Sequence, residues 1–221
     1  MKIKQFLKKG RDLIQGYKIR RLSRDAQKSA LMTDEKYKKY IEEQIKKSYG
    51  QIPKATNINQ RTIYLVDTLR NSKVLTNGQS ILCVGCRNAN ELNYIENELG
   101  LKSTGLDLFS VDERILVGDM HKMPFSDGTF DHLYSCHSLE HAYDINVALN
   151  EFIRVVKPEG SITIEVPVNF KPNATDYWDL ENDDNLFNLL KNRISRVLFR
   201  ETASNAGNSE KKVIRFIFTK R

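Results

Sequence analysis

Residues 80–107 read SILCVGCRNANELNYIENELGLKSTGLD, and this stretch decides the fold. The pattern predicts a buried strand over 80–84, a turn at Gly85, a helix over 89–99 and a second strand ending at Asp107. Asp107 lies 22 residues after Gly85, about the spacing at which α/β nucleotide-binding folds present a carboxylate to ribose hydroxyls. The strand end, the turn and the helix N-terminus together predict a ligand-binding crevice.

Strand and helix patterns alternate along the rest of the chain, which indicates a parallel sheet with helices on both faces. Further strands are predicted at 115–119, 130–136, 161–167, 195–201 and 212–219, and further helices at 144–156 and 179–192. Only the polar segment 202–211 separates the last two strands. Because ten such residues cannot form a helical crossover, the final pair is predicted to be an antiparallel hairpin.

The predicted fold class is therefore α/β: a doubly wound, seven-stranded, mostly parallel sheet with an antiparallel C-terminal hairpin. A helical N-terminal extension is predicted over residues 1–58, and the sheet domain over residues 59–221. Within the extension, Thr33-Asp34-Glu35 can start a helix with Tyr37, Tyr40, Ile41 and Ile45 along one side, ended by Gly50 and Pro53.

The bulk composition is that of an ordinary soluble chain, with 221 residues, 40% hydrophobic and 29% charged. We find no apolar run long enough to cross a bilayer and no signal-peptide core, and three cysteines is an odd count. A cytoplasmic protein with reduced thiols is therefore expected.

The net charge of +7 belongs mainly to residues 1–24, which contain nine Lys or Arg and one Asp. Apolar residues at helical spacing run through this basic arm. It is either a helix that associates peripherally with an anionic surface such as lipid, glycan or RNA, or a solvated helix docked on the domain. Nucleic acid is the less expected of these partners.

Several motifs follow the first strand in order. They are GDMHKMPFSDGTFD at 118–131, SLEH at 138–141, EFIRVVKPEG at 151–160 and ITIEVP at 162–167. This run resembles the class I S-adenosylmethionine-dependent methyltransferases, specifically the type 11 group, over roughly residues 80–168. The resemblance implies a seven-stranded sheet with a terminal hairpin, S-adenosylmethionine as cofactor, and no metal.

The resemblance also implies roles for individual residues. Asp107 would hold the ribose hydroxyls, Asp119 would face the adenine amine, and Met120 would pack on the adenine ring. The other cofactor-binding positions that it implies are Cys83, Gly85, Arg87, Leu108 and Ser135. Considered alone, Asp107 can be a turn or helix-cap carboxylate, and Met120 can be an ordinary core residue.

The first motif departs from the family's acid-x-Gly-x-Gly-x-Gly pattern. Cys83 stands at the acid position, and Arg87 and Ala89 stand at the second and third glycine positions. Arg87 can pair with the carboxylate of the cofactor. Glu91 can either take over the ammonium contact or form an i,i+4 ion pair with Arg87. A nicotinamide dinucleotide fingerprint would need glycines at 85, 87 and 90, so that alternative fits worse.

Two histidines follow the fourth strand, where open parallel sheets bind their ligands. His137 and His141 are the candidate catalytic bases, because imidazole can take a proton from a hydroxyl or ammonium group. His141 can instead anchor the loop after the strand. A zinc site at Cys136, His137 and His141 lacks a second cysteine pair, and Cys83 lies in an apolar strand, so its C-x-x-C with Cys86 is expected to pack.

The sequence thus predicts an S-adenosylmethionine-dependent methyltransferase, cytoplasmic or peripheral to the membrane, with an unidentified small-molecule, sugar or lipid-linked acceptor. The alternative is a catalytically silent binding module of the same fold, whose basic arm engages an anionic partner. The altered glycine motif favours the alternative. Asp107, Asp119 and the motif Leu139-Glu140-His141 favour the enzyme.

Overall fold

The centre of the molecule is a single seven-stranded sheet. A computed structural model describes residues 35–51, 57–86, 89–110 and 112–221. The spatial order of the strands is β3-β2-β1-β4-β5-β7-β6. Strands β1 to β5 are parallel, and β7 is antiparallel to both of its neighbours, which confirms the predicted fold class. The strands are β1 Ser80–Val84, β2 Lys102–Asp107, β3 Ile115–Val117, β4 Phe130–Cys136, β5 Val156–Val168, β6 Ile194–Asn205 and β7 Asn208–Lys220.

Helices cover both faces of this sheet. Helices α2 and α3 bury Leu65, Leu69 and Ile95 on one face. Helices α4 and α5 bury Phe152 and Leu186 on the other. Because both faces are covered, the parallel strands read as apolar runs rather than as alternating patterns. The helices are α1 Glu35–Gln51, α2 Gln60–Asn71, α3 Asn90–Leu99, α4 Ile145–Val155 and α5 Asp183–Leu190, with 3-10 turns at Leu139–His141 and Lys191–Arg193.

Helix α1 lies across the carboxyl ends of the strands rather than on either face. Its predicted apolar side is the buried one, since Tyr37, Tyr40, Ile41 and Ile45 are all at most 6% exposed. These residues form a small cluster of their own with side chains from the loops after the strands. The amphipathic spacing of α1 therefore serves a contact with the ligand-binding edge of the sheet.

The predicted loop at 202–211 is wrong. Strands β6 and β7 continue through most of it, with Thr202, Ala203 and Ser204 paired to Ile214, Val213 and Lys212. Only residues 206 and 207 form the turn, and Gly207 has a φ of 88°, which glycine adopts without strain. The polar composition suggested a loop because both strand ends are largely solvated there, while the backbone pairing is insensitive to side-chain polarity.

The start of β5 also differs from the prediction. The sequence predicts a helix over 144–156 and a strand over 161–167, but helix α4 ends at Val155 and β5 begins directly after it, at Val156. The pairing with β4 shifts in register there, between Phe130 and His132. Gly160 is required in this bulge, because a Cβ would lie 2.5 Å from the carbonyl oxygen of Asp131.

The basic arm over residues 1–24 lies outside the described residues, and the domain boundary near residue 58 stays a prediction. Within the described ranges, no helix has the length and apolar character that a membrane span requires.

Candidate functional site

The carboxyl ends of β1 to β4 meet along a narrow crevice. Gly85 follows β1, Asp107 ends β2, and Asp119 and His137 come after β3 and β4. Open α/β sheets bind ligands at this edge. The sequence-predicted site residues on the crevice wall are Gly85, Asp107, Leu108, Asp119, Met120, His137 and His141.

Two other predicted cofactor-binding residues, Cys83 and Ser135, do not line the crevice. Cys83 is fully buried in the core between the sheet and helices α2 and α3, away from the crevice wall. Ser135 is fully buried, and its hydroxyl lies 2.7 Å from that of Ser138. Arg87 lies outside the described residues. Cys83 and Cys86 are free thiols. Burial raises the pKa of both thiols, so they are packing residues and not reactive groups.

Gly85, the glycine retained from the first motif, is required by a close contact. Its φ is 80°, and an added Cβ would lie 2.2 Å from the Cβ of Ser138. The hydroxyl of Ser138 in turn donates to the carbonyl of Val84 at 3.0 Å. The turn after β1 is therefore packed directly on the loop after β4, and any side chain at 85 would separate them.

Asp119 is buried, and both of its carboxylate oxygens are already hydrogen-bonded. Oδ1 accepts from the backbone N–H of His121 at 2.9 Å and lies 2.6 Å from Nδ1 of the same residue, while Oδ2 accepts from the hydroxyl of Tyr37. Burial raises the pKa of this carboxyl, but the His121 ring and the Tyr37 hydroxyl lower it by more. Asp119 is thus a carboxylate tied to helix α1.

Aromatic side chains from α1 cover this end of the crevice. The ring centroid of Tyr40 lies 5.5 Å from that of Tyr37, 5.4 Å from that of Tyr143 and 5.5 Å from that of Tyr177. Aromatic pairs at such distances contribute roughly 0.5–1.5 kcal/mol each beyond the area that they bury. Helix α1 is consequently attached to the loops after β4 and β5, and not only to Asp119.

The space that α1 leaves in the crevice is about 40 Å³. Small-molecule sites measure roughly 300–1,000 Å³, so a nucleoside can enter only if Tyr40 and its neighbours move. The chemistry of the wall does suit a nucleoside. Asp107 offers carboxylate oxygens to hydroxyl groups, and Leu108 and Met120 offer apolar contact to a base.

His137 occupies the far end of the crevice in an unusual backbone conformation. Its φ is 53°, a left-handed value that is uncommon outside glycine and concentrated at functional sites. The ring Nε2 lies 3.1 Å from Oε1 of the fully buried Glu165. Oε2 of Glu165 accepts from Nε of the buried Arg215 at 2.6 Å. A carboxylate at this distance favours the tautomer of the neutral ring that has its proton on Nε2, and in that tautomer Nδ1 is an acceptor.

Glu140 lies between the two candidate bases. Its Oε1 is 3.9 Å from Nδ1 of His137 and 3.8 Å from Nε2 of His141, both longer than a hydrogen bond. Its side chain is 3% exposed, and Oε2 is buried with no hydrogen-bond partner among the described residues. Because buried carboxylate oxygens are normally hydrogen-bonded, this oxygen is suited to accept from a donor on a ligand.

His141 is tied to the loop after β5. Its Nδ1 lies 2.9 Å from the carbonyl oxygen of Thr175 and 2.8 Å from Oδ1 of Asp176. Lys47 of helix α1 donates to the same carboxylate oxygen at 2.6 Å. The hydrogen bond from His141, followed by that from Lys47, holds the pKa of Asp176 below its usual value. This arrangement supports the loop-anchoring role for His141.

A second and much wider cleft opens on the other side of the two histidines. Its volume is about 880 Å³, and His137 and His141 line both this cleft and the crevice, while Glu140 lines the cleft. The loop after β5, the tip of the β6–β7 hairpin and the start of α2 form its sides. A Cβ on Gly207, in the tip, would lie 3.2 Å from that of Gln60, so these two sides touch.

Sequence reasoning missed the residues that support this site. Tyr37 was assigned to the apolar side of a helix, and nothing in its local sequence places it on Asp119. Glu165 and Arg215 did carry a signal, since Glu165 is the one charge in the predicted strand 161–167 and Arg215 interrupts the apolar run 213–218. Charges in such strands are normally paired, and that rule would have joined them.

A metal site has no support in the described part of the chain. No group of three or more His, Cys, Asp or Glu side chains is arranged there to hold an ion. Cys136 is buried and uncharged, because burial raises the pKa of its thiol, and the zinc alternative has no assembled ligand set.

The sheet order, the terminal hairpin and the crevice define a class I methyltransferase fold. Residues 82–164 match the model of the methyltransferase domain, type 11. They therefore form a methyltransferase domain of this family, which confirms the resemblance seen in the motifs.

Among curated proteins, the chain is similar to 2-methyl-6-phytyl-1,4-hydroquinone methyltransferase of Synechocystis, with 27% identity over 59% of this chain. The match covers only 50% of that relative's length.

Two solved structures share the fold at 15% identity. Burkholderia thailandensis 1,6-didemethyltoxoflavin-N1-methyltransferase, bound to its namesake substrate and S-adenosylhomocysteine, superposes with a TM-score of 0.63 over 83% of this chain and 88% of its own. Haemonchus contortus phosphoethanolamine N-methyltransferase 2, with phosphomonomethylethanolamine and S-adenosylhomocysteine, gives 0.59 over 71% and 52%.

Proposed function

We propose that this protein is an S-adenosylmethionine-dependent methyltransferase that acts on a small-molecule acceptor. The observation that carries the proposal is the meeting of two clefts at His137. One wall of the narrow crevice has the carboxylates and apolar side chains that a nucleoside requires. The wide cleft on the other side of His137 has room for a second molecule.

In this proposal, the crevice holds the cofactor. Asp107 accepts hydrogen bonds from the ribose hydroxyls, and Leu108 and Met120 contact the adenine. Asp119 receives the adenine amine once the Tyr37 hydroxyl has left Oδ2. Gly85 lets the turn after β1 approach the ligand, and Arg87 pairs with the carboxylate of the methionine part. When bound, S-adenosylmethionine supplies a methyl group on an activated sulfonium.

His137 is the proposed general base. Glu165 keeps the proton on Nε2, so Nδ1 can take the proton of the acceptor's hydroxyl or amino group. Glu140, 3.9 Å from Nδ1, accepts a hydrogen bond from the same group or stabilises the imidazolium that forms. His141 positions the loop that bounds the acceptor cleft. Orientation of the two reactants is the larger part of what the protein provides.

The test is titration of the full chain with S-adenosylmethionine and with S-adenosylhomocysteine, by calorimetry and thermal shift. We expect both ligands to raise the unfolding midpoint, because a ligand at 100 times its Kd stabilises by about 2.7 kcal/mol. Asp107→Ala should weaken both by about a hundredfold or more, since it removes charged acceptors from two hydroxyls.

Asp127→Ala is the matched control, because Asp127 is an 84% exposed carboxylate paired with Arg154 and remote from the crevice. It should leave both affinities unchanged. The silent binding module predicts no midpoint shift for either ligand with the wild-type chain, and that result would replace the enzyme by the module.

A further inference from the structure

The wide cleft carries more positive than negative charge. Its charged lining comprises Lys47, Arg61, Lys171, Lys211 and Lys212 against Glu140, Asp176 and Glu210. The ion pair between Lys47 and Asp176 cancels one positive and one negative charge. The remaining four cations form no ion pair with any described residue, so an anion entering the cleft meets uncompensated positive charge.

The cations lie at different depths. Lys171, Lys211 and Lys212 are exposed and belong to the loop after β5 and to strand β7. Arg61 is half-buried at the start of helix α2, and its Nε is buried without a hydrogen-bond partner among the described residues. Arg61 also lines a smaller pocket together with His137, which places it near the candidate base.

The deep end of the cleft has the opposite chemistry. Glu140 presents a buried oxygen with no partner in the described structure, and in the tautomer that the contact between Nε2 of His137 and Glu165 favours, Nδ1 of His137 is an acceptor. Both groups suit a donor such as a hydroxyl or an amine. The cleft is therefore polar at both ends, and its apolar lining consists of Pro167, Val168, Phe170 and Ala206.

We infer that the acceptor is a hydrophilic molecule with a hydroxyl or amino group at one end and a carboxylate or phosphate at the other. This inference rests on the proposed function for the identity of the reacting end. The hydroxyl or amine lies at His137 and Glu140, and the anion lies against Lys171, Lys211 and Lys212. A long hydrocarbon in this cleft would desolvate the lysines and asparagines without replacing their hydrogen bonds.

The first test is independent of methyl transfer. Inorganic pyrophosphate is titrated into the full chain by calorimetry at low ionic strength. We expect saturable binding that becomes about tenfold weaker in Lys211→Glu/Lys212→Glu, because two attractive charges become repulsive. The control Lys102→Glu/Lys191→Glu makes the same charge change on two exposed lysines outside the cleft and should alter the affinity less than about twofold. No binding to the wild-type chain, or equal weakening in both variants, would overturn the inference.

The second test identifies the acceptor class. The protein is incubated with labelled methyl donor and a low-molecular-weight metabolite extract, and the products are separated on an anion exchanger and by organic extraction. We expect label in the anion-retained fraction, with KM for that fraction raised about tenfold and kcat changed less than about twofold in Lys211→Glu/Lys212→Glu.

The outcomes separate the two proposals. Label found only in neutral, organic-soluble products would contradict the hydrophilic acceptor while supporting the methyltransferase. Absence of cofactor binding in the titrations of wild-type chain would contradict the methyltransferase, and pyrophosphate binding would still decide whether the cleft is an anion site.

Discussion

The narrow crevice and the wide cleft lie on opposite sides of His137, and they differ in almost every property. The crevice is covered by helix α1, is lined by apolar side chains together with the carboxylates Asp107 and Asp119, and has about 40 Å³ of space. The cleft is open, is lined by lysines and asparagines and has about 880 Å³. In the crevice, the key carboxylate is fully hydrogen-bonded within the protein. In the cleft, Arg61, Lys171, Lys211 and Lys212 form no ion pair with a residue that the structure describes.

This difference indicates how each side meets its ligand. In the proposed function, the wide cleft receives the acceptor and is largely preformed, as small-molecule sites usually are. The crevice would receive the cofactor only after the side chains of α1 move, so opening it would reduce the net binding free energy. The wall between them is formed by His137, which Glu165 and Arg215 hold in position. Both sides depend on the structure of this wall.

The largest effect should come from breaking that shared wall. Arg215→Ala leaves the fully buried Glu165 without its main countercharge, and we expect a loss of about 3 kcal/mol or more in unfolding free energy. Arg70→Ala is the matched control, since Arg70 pairs with Asp67 and Glu98 at 43% exposure and should cost below about 1 kcal/mol. Urea unfolding measures both. Equal costs would mean that the Arg215–Glu165 pair does not stabilise the wall.

The next effect distinguishes the two histidines that both sides share. His137→Gln should lower the rate of label transfer to the anion-retained acceptor by about a hundredfold at saturating substrates, because it removes the base. His141→Gln should raise KM and lower the rate much less, because His141 holds the loop at Thr175 and Asp176. Similar rate losses in both variants would give His141 an equal part in the chemistry.

The smallest effect tests the closure of the crevice. Tyr37→Phe removes the hydroxyl that donates to Asp119 and should cost about 2 kcal/mol of unfolding free energy, since hydrogen bonds to charged groups contribute roughly 1.5–3 kcal/mol. The apparent affinity for S-adenosylmethionine should increase, because the closed crevice becomes less favourable. Tyr177→Phe makes the same change within the aromatic cluster on a hydroxyl that does not reach Asp119, and should alter neither. Weaker cofactor binding in Tyr37→Phe would show that α1 closes over the ligand instead.

The pH dependence of that stability difference provides an additional check. The pKa of Asp119 is lower in the folded protein than in the unfolded chain, so the hydrogen bond from Tyr37 stabilises fully above the unfolded value of about 3.9. The contribution is lost as the pH falls through the lower, folded value. The difference between wild type and Tyr37→Phe should therefore be constant from pH 8 to about pH 5 and shrink below about pH 4.

The sequence was most informative where structure depends on local pattern. Strands β1 and β4 follow the predicted bounds, because short apolar runs bounded by turns are typical of a buried parallel sheet. The order of the motifs along the chain predicts that Asp107, Asp119 and His137 lie close together, since residues that follow parallel strands meet at the carboxyl ends of those strands. The prediction failed at the solvated ends of β6 and β7, where backbone pairing and not side-chain type determines the structure.

The closure of the crevice could not be predicted. Tyr37 meets Asp119 across 82 positions of sequence, and no local rule connects a helical tyrosine with a distant strand end. The same holds for the wide cleft, whose sides come from the start of α2, the loop after β5 and the tip of the terminal hairpin. Such sites depend on how separate elements pack, which residue spacing does not encode.

The position of β7 affects how this protein can fold during its synthesis on the ribosome. In the sheet, β7 lies between β5 and β6, although β6 precedes it in the chain. When β6 leaves the ribosome it cannot yet join the sheet, because its partner β7 has not been made. Until β7 emerges, one edge of β5 stays unpaired. Exposed edges of this kind pair readily with other strands. The sheet therefore cannot be completed before β7 is available, and chains that end before residue 208 should aggregate more readily than chains that contain β7.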